Sequence, residues 1–215
     1  MSCESSQDQD GDRPTDRPTT EQVTVISPNS RDNFADLHTS CLRQQSASTP
    51  VVGGTRRSGY KERMTDPQDQ IAEALSRSNC SAAAAESLTG GNVSAALSAI
   101  EGASDWFLGG VVAYAKTVKF DLLGVQRGQV VNARAACQMA TGVAELLGAD
   151  FAVATTGVGG PGPQEDLPPG TVYIAVASRE GCEVRRYEFE GDPLKVVEQT
   201  TLRALQDLAD TIVDG

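Results

Sequence analysis

The sequence predicts an α/β fold, a mixed sheet covered by helices on both faces. From residue 64 onward, short apolar runs alternate with segments of helical period. The runs are almost continuously apolar, as in strands buried on both faces. Near the C-terminus two strand-like runs follow one another with only a tight turn between them, so an antiparallel pair joins the crossover-connected strands.

Taken in order, Asp66 can cap a first helix with Pro67 at its first position, running through Ile71 and Leu75. SAAAAES, residues 81–87, is a short run of small residues and reads as a buried strand. Residues 90–101 have helical period, with Val93, Ala96, Leu97 and Ile100 on one face. GGVVAYA, residues 109–115, is a strand, and a short helix from Thr117 to Leu123 ends at Gly124. Asn132 caps a longer helix, 132–147, that Gly148 stops. DFAVATTG, 150–157, is a strand running into a Gly/Pro-rich loop, 157–170. GTVYIAVAS and CEVRRYEFE form a hairpin turning at Arg179–Gly181. Asp192 and Pro193 start the last helix, which reaches about Val213 and carries Val197, Leu202, Leu205 and Leu208 into the core. Trp106 and Phe107 read as packing residues, and Glu165–Asp166 and the Asp207/Asp210 face as solvated surface.

Residues 1–63 differ. They are rich in Ser, Thr, Asp, Gln, Arg and Pro, bury too little to offset their ordering entropy, and read as a disordered extension. The domain is then 64–215. The extension holds 8 Lys and Arg against 9 Asp and Glu, so nearly all of the net charge of −11 belongs to the domain. An acidic body repels phosphate backbones and anionic lipid, which speaks against nucleic-acid or membrane-surface partners. A small anionic substrate remains compatible if a few cations are focused in a cleft. Five scattered cysteines lack metal-ligand spacing and read as reduced thiols; no metal is expected. No apolar run is long enough for a membrane span and no secretory core is visible, so the expected location is cytoplasmic.

Three segments can carry chemistry. In AESLTGG, residues 85–91, a strand ends at Ser87 and a Thr89-Gly90-Gly91 turn opens a helix. Ser87 then stands at the carboxyl edge of a strand, with backbone amides near Leu88 to Gly91 able to meet an oxyanion or phosphate. A strand–helix turn with Ser87 merely capping the helix is the plainer reading of the same residues. In YAKTVK, 114–119, Lys116 and Lys119 share a helix face. The only histidine, His38, lies in the extension, so a serine nucleophile would need another base. Lysine serves only if its pKa falls from about 10.4 toward roughly 7–8. Lys119 is the candidate base, Lys116 the cation that lowers its pKa, and Tyr114 the group that orients it; two solvated lysines and a strand-end tyrosine are the plainer reading. In TTGVGGPGP, 155–163, Thr156, Gly157 and Gly160 would line a ligand pocket or merely form an irregular connection; there is no P-loop lysine.

Together AESLTGG, GASDWFLGGVVAYAKTVK with LLGV, ARAACQMATGVAELLGAD, TTGVGGPGP and PPGTVYIAVAS resemble the CinA C-terminal domain family, from about residue 67 to 213. The resemblance implies a three-layer α/β/α sandwich and hydrolysis of the carboxamide of nicotinamide mononucleotide to nicotinate mononucleotide and ammonia. No metal or cofactor is implied. Ser87 matches the family's nucleophile, and Tyr114 and Lys119 its Tyr and Lys. Thr89, Gly90, Gly91, Thr156, Gly157 and Gly160 become substrate-binding candidates, and a homo-oligomer is a family-level expectation. The chain departs from the pattern at four places. Lys116 stands where the family often has Asn, and Asn132 where it often has Ser. The Gly-rich loop is about one residue short. Pro193 replaces an Arg expected to touch substrate, with Lys195 and Arg186 the candidates to compensate. The competing reading is a family member without this activity, a regulatory or protein-binding module linked to DNA uptake or damage. Met64 reads as a genuine or alternative start. A chain beginning there is expected to stay soluble and folded, which expression and circular dichroism of the truncated chain would check.

Overall fold

The computed structural model describes residues 22–26 and 66–214. Along the chain run β1 (Gln22–Ile26), α1 (Pro67–Ser78), β2 (Ala82–Glu86), α2 (Asn92–Ser98), β3 (Phe107–Val112), α3 (Lys116–Leu122), α4 (Ala133–Leu147), β4 (Phe151–Gly157), β5 (Thr171–Ser178), β6 (Gly181–Glu188) and α5 (Pro193–Asp214). The strands form one sheet in the order β1-β6-β5-β4-β2-β3. β2 is parallel to both β3 and β4, while β4, β5, β6 and β1 pair antiparallel. The expected mixed sheet and three-layer arrangement are therefore present.

Local chemistry sets the element ends. The Asp66 carboxylate accepts the Gln68 amide at 2.9 Å, with Pro67 at the first helical position. Asn132 caps α4 through the Ala135 amide at 2.9 Å, and Gly148 closes it at φ 71°. Two elements are shorter than their patterns suggest. α2 begins only at Asn92, because Gly90 and Gly91 form the preceding turn at φ 58° and 111°. β3 ends at Val112 because the chain must turn into α3, although the Ala113 amide still bonds the Glu86 carbonyl at 2.7 Å.

The two faces of the sheet are built differently. Along β4 and β5, Val153, Val172, Ile174 and Val176 point to the side covered by α1, α2 and α5, where they meet Ile71, Leu75, Val93, Leu97, Leu205 and Leu208. Ala83, Ala85, Ala152, Ala154, Ala175 and Ala177 point to the other side and meet α4. Small side chains let α4 approach closely, and Trp106 fills the first core as expected of a packing residue.

Four expectations change. Residues 22–26 lie inside the stretch read as disordered, yet they form an edge strand on β6, in register from Gln22 opposite Arg186 to Ile26 opposite Cys182. The local sequence QVTVI has high strand propensity and needs only an open edge to pair with. The rest of 1–63, including His38, lies outside the described residues. Leu202 is 61% exposed and Val197 is only half-buried, and Val196, Thr200 and Ala204 take the buried stripe with Leu205 and Leu208. Asp207 is not solvated. It is buried between α5 and β6, accepting the Tyr187 hydroxyl and paired with Arg185 at 2.9 Å and Arg203 at 3.0 Å. Two guanidiniums make that burial tolerable. Finally, Cys137 and Cys182 are free and buried, but Cys80 is disulfide-bonded to a partner outside the described residues. Pairing is fixed in space, so scattered cysteine positions could not reveal it.

The close α4 layer yields a test. A Cβ added at Gly142 would lie 2.1 Å from the Leu123 carbonyl oxygen. Gly→Ala in an open helix gains about 1 kcal/mol. Gly142→Ala is instead expected to lose about 1–3 kcal/mol, read from the urea midpoint, because a backbone atom cannot yield.

Candidate active site

The residues singled out for chemistry meet at the carboxyl ends of β2 and β4. Ser87 follows the last residue of β2, and its amide donates to the Thr155 carbonyl of β4 at 3.0 Å, which ties it to the sheet edge. The turn after it is held by Glu86, a residue the sequence reading passed over. Its carboxylate is fully buried and accepts the amides of Gly91, Val93 and Ser94 at 2.9, 3.0 and 2.7 Å, and the Ser94 hydroxyl at 2.6 Å. An internal anion thus already occupies the first turn of α2. This corrects the expectation for Gly91, whose amide is committed to Glu86. The amides of Leu88 and Thr89 have no acceptor among the described residues. Thr89 is fully buried, its hydroxyl bonded to Thr155 at 2.8 Å, and Gly90 is exposed; neither lines the cavity described below. Gly110 of β3 leaves room for this arrangement, since a Cβ there would lie 1.9 Å from the Ser94 hydroxyl oxygen.

Lys119 belongs to α3, yet its side chain is only 1% exposed. Its amine donates to the Ala113 carbonyl at 2.6 Å and to the Tyr114 carbonyl at 3.2 Å. Ala113 is itself bonded to Glu86, the residue before Ser87, so the amine sits beside the Ser87 end of β2. Burial, followed by the nearby Lys116 charge, lowers the Lys119 pKa from 10.5 to about 8, against a smaller opposing pull from Glu165. A neutral amine has two N–H donors and one lone pair. Both donors are spent on carbonyls, and the lone pair is left to accept a proton. Tyr114 contributes its carbonyl to this arrangement; its side chain is 74% exposed at the mouth.

Lys116 stands one turn before Lys119 and pairs with Glu165 of the Gly/Pro loop. Contrary to the solvated-surface expectation, the Glu165 side chain is only 8% exposed. Its second carboxylate oxygen accepts the Val130 and Val131 amides at 2.8 and 2.9 Å, fastening the loop to the segment before α4. Burial pushes this carboxyl up, but the Lys116 hydrogen bond and the two amides outweigh it and hold it below the ordinary value. The Thr156 hydroxyl donates to the Val130 carbonyl at 2.8 Å, a second fastening.

Ser87, Tyr114, Lys116, Lys119, Thr156, Gly157 and Gly160 all line one cavity of about 230 Å³, with Pro193 and Val197 of α5 on its far wall. A larger cavity, about 300 Å³, opens at the other end of the sheet near Asp150, Arg179 and Thr211. Arg179 is paired with Asp150 there, Asp150 also accepts the Ser81 hydroxyl at 2.9 Å, and neither lysine nor histidine is among the described residues that line it. The chemistry therefore favours the smaller cavity. Among the described residues no cluster of His, Cys, Asp and Glu is arranged to hold a metal.

Fold and site define a three-layer α/β/α protein with a serine and a buried lysine amine at one end of a mixed sheet. Residues 64–212 match the CinA C-terminal domain, and the chain belongs to that family. It is 43% identical over 157 residues to a CinA-like protein of Synechococcus sp., covering 67% of this chain and 38% of that one. It is 42% identical over 138 residues to a putative competence-damage inducible protein of Desulforamulus reducens, covering 62% and 33%. The chain thus spans about a third of the length of these relatives. A solved CinA superfamily protein from Klebsiella pneumoniae superposes with a TM-score of 0.66 at 33% identity, over 69% of this chain and 97% of that one. One from Escherichia coli gives 0.64 at 30% identity, over 67% and 90%.

Lys119 has a consequence for stability. The folded chain releases the proton near pH 8, the unfolded chain near 10.5. Between these values the unfolded state binds more protons, so wild-type stability rises with pH across that window. Lys119→Met removes this dependence. Urea unfolding is expected to show its stability relative to wild type declining from pH 8 to 10.5; parallel pH dependences would contradict the burial argument.

Proposed function

We propose that the chain is an amidohydrolase that converts nicotinamide mononucleotide to nicotinate mononucleotide and ammonia, with Ser87 as nucleophile and Lys119 as general base. One observation carries the reading: an amine with both donors satisfied, and a pKa of about 8, shares a cavity with a strand-end serine. The substrate itself comes from the family resemblance. The CinA-like and competence-damage names of the relatives describe no chemistry. The expected cytoplasmic location belongs to the same reading, and no helix among the described residues is long and apolar enough to cross a membrane.

In this mechanism the neutral Lys119 amine takes the Ser87 hydroxyl proton as the oxygen attacks the carboxamide carbon. The Leu88 amide, on the cavity wall and without an acceptor among the described residues, is the available donor for the developing oxyanion. The protonated Lys119 then delivers its proton to the departing nitrogen, and ammonia leaves an acyl ester on Ser87. Water, deprotonated by the same amine, attacks that ester. Nicotinate mononucleotide leaves, and the proton returns to the Ser87 oxygen. Tyr114, exposed at the mouth, contributes substrate contact and the carbonyl that orients the amine.

The competing reading, a regulatory or protein-binding module, draws on Pro193, which places an uncharged ring on the cavity wall. Ammonia release from nicotinamide mononucleotide separates the two. Wild type is expected to release it, and Ser87→Ala to lose at least about a thousandfold in rate. Because only the unprotonated amine acts, kcat/KM is expected to fall about tenfold per pH unit below an apparent pKa of about 8. A well-folded wild type that releases no ammonia would favour the module.

A further inference from the structure

We infer that Lys116 is the residue by which this cavity recognises the phosphate of a mononucleotide, with Glu165 as the group that positions it. The inference rests on the amidohydrolase reading for its substrate, but on separate contacts.

Among the described residues only two cations line the cavity, Lys116 and Lys119. Lys119 is buried and its donors are taken by the Ala113 and Tyr114 carbonyls. Lys116 is half-exposed, its side chain 47% accessible at the rim. Of its three N–H donors the structure commits one, to Glu165, and two remain for a ligand. The pairing does not cancel the site. The Glu165 charge is divided between Lys116 and the amides of Val130 and Val131, and this ties the ammonium to the segment before α4. A lysine so held loses little side-chain freedom on meeting an anion.

The remaining wall favours the same conclusion. Pro193, Val197, Gly159 and Gly160 bring no charge, and neither Lys195 nor Arg186 lines the cavity. Arg186 is paired with Glu188 instead. A cavity of about 230 Å³ is below the roughly 300–1,000 Å³ usual for ligand pockets, so a mononucleotide with its amide at Ser87 keeps its phosphate at the mouth. On a chain of net charge −11, a phosphate monoester at that mouth needs a local cation, and Lys116 is the one placed there.

Lys116 also lowers the Lys119 pKa, so its removal alters turnover of any substrate. The test is therefore a ratio. Ammonia release by the full chain is measured with nicotinamide mononucleotide and with nicotinamide riboside, which differ only in the phosphate. Wild type is expected to favour the mononucleotide in kcat/KM. Lys116→Asn is expected to cut that preference about 10- to 100-fold, mainly through KM, and Lys116→Arg to keep most of it. Calorimetric binding of nicotinate mononucleotide and nicotinate riboside gives a readout independent of turnover, with the same loss in Lys116→Asn confined to the phosphorylated ligand. An unchanged preference and an unchanged mononucleotide affinity in a folded Lys116→Asn would overturn the inference. Absence of turnover in wild type, with mononucleotide binding that still depends on Lys116, would overturn the amidohydrolase reading and leave the phosphate contact standing.

Discussion

A lysine amine withdrawn from water is the constraint on which the site depends. Burying a charged ammonium is expensive, and the fold meets this by lowering the amine's pKa to about 8 and giving its hydrogens the carbonyls at the end of β3. Those carbonyls are available only because β3 stops at Val112 and the chain turns sharply into α3. Lys116, one turn earlier, adds a second push toward the neutral form, while Glu165 limits it. The amine's pKa is thus set by its burial and by two charges of opposite sign, one on α3 and one on the Gly/Pro loop.

Glu86 solves the opposite problem with the opposite sign. Its carboxylate is fully buried but has three amides and a hydroxyl around it. α2 has only seven residues, too few to be stable on its own. The Glu86 carboxylate anchors its first turn to the end of β2, and this anchorage sets the path of the Ser87–Gly91 turn. It also consumes the amides that a helix start would otherwise offer. Of the turn's amides, that of Leu88 is left on the cavity wall without an acceptor among the described residues, before the helix rather than at it.

Much of this was legible in the chain. The order of elements, the Asn132 cap and the Gly148 stop follow from local chemistry, and local chemistry does not depend on the rest of the fold. By spacing alone Ser87 reads as a helix cap and Lys119 as a solvated lysine; only the family resemblance singles them out for chemistry. Glu86, Glu165 and Asp207 were not legible. Their partners are amides and side chains four to forty-nine residues away, and an acid reads as surface until those partners are known. Leu202 failed for the reverse reason: an apolar residue one step off the helix stripe looks like core. The β1 strand was hidden because its five residues acquire meaning only from the open edge of β6.

The division of the sheet into a bulky face and an alanine face bears on how the site is supported. α5 rests on β-branched side chains and carries Pro193 and Val197 into the cavity from one side. The segment before α4 brings Val130 and Val131 to the other side, and α4 lies against a bed of alanines with Gly142 touching the Leu123 backbone just after α3. A close, small-residue contact leaves little room to slide. The helix bearing both lysines is therefore fixed against α4, and the loop bearing Glu165 is fixed to the same segment. Lys119, Lys116 and the Glu165 loop thus share one support, and the proposed proton transfer depends on that support to hold its geometry.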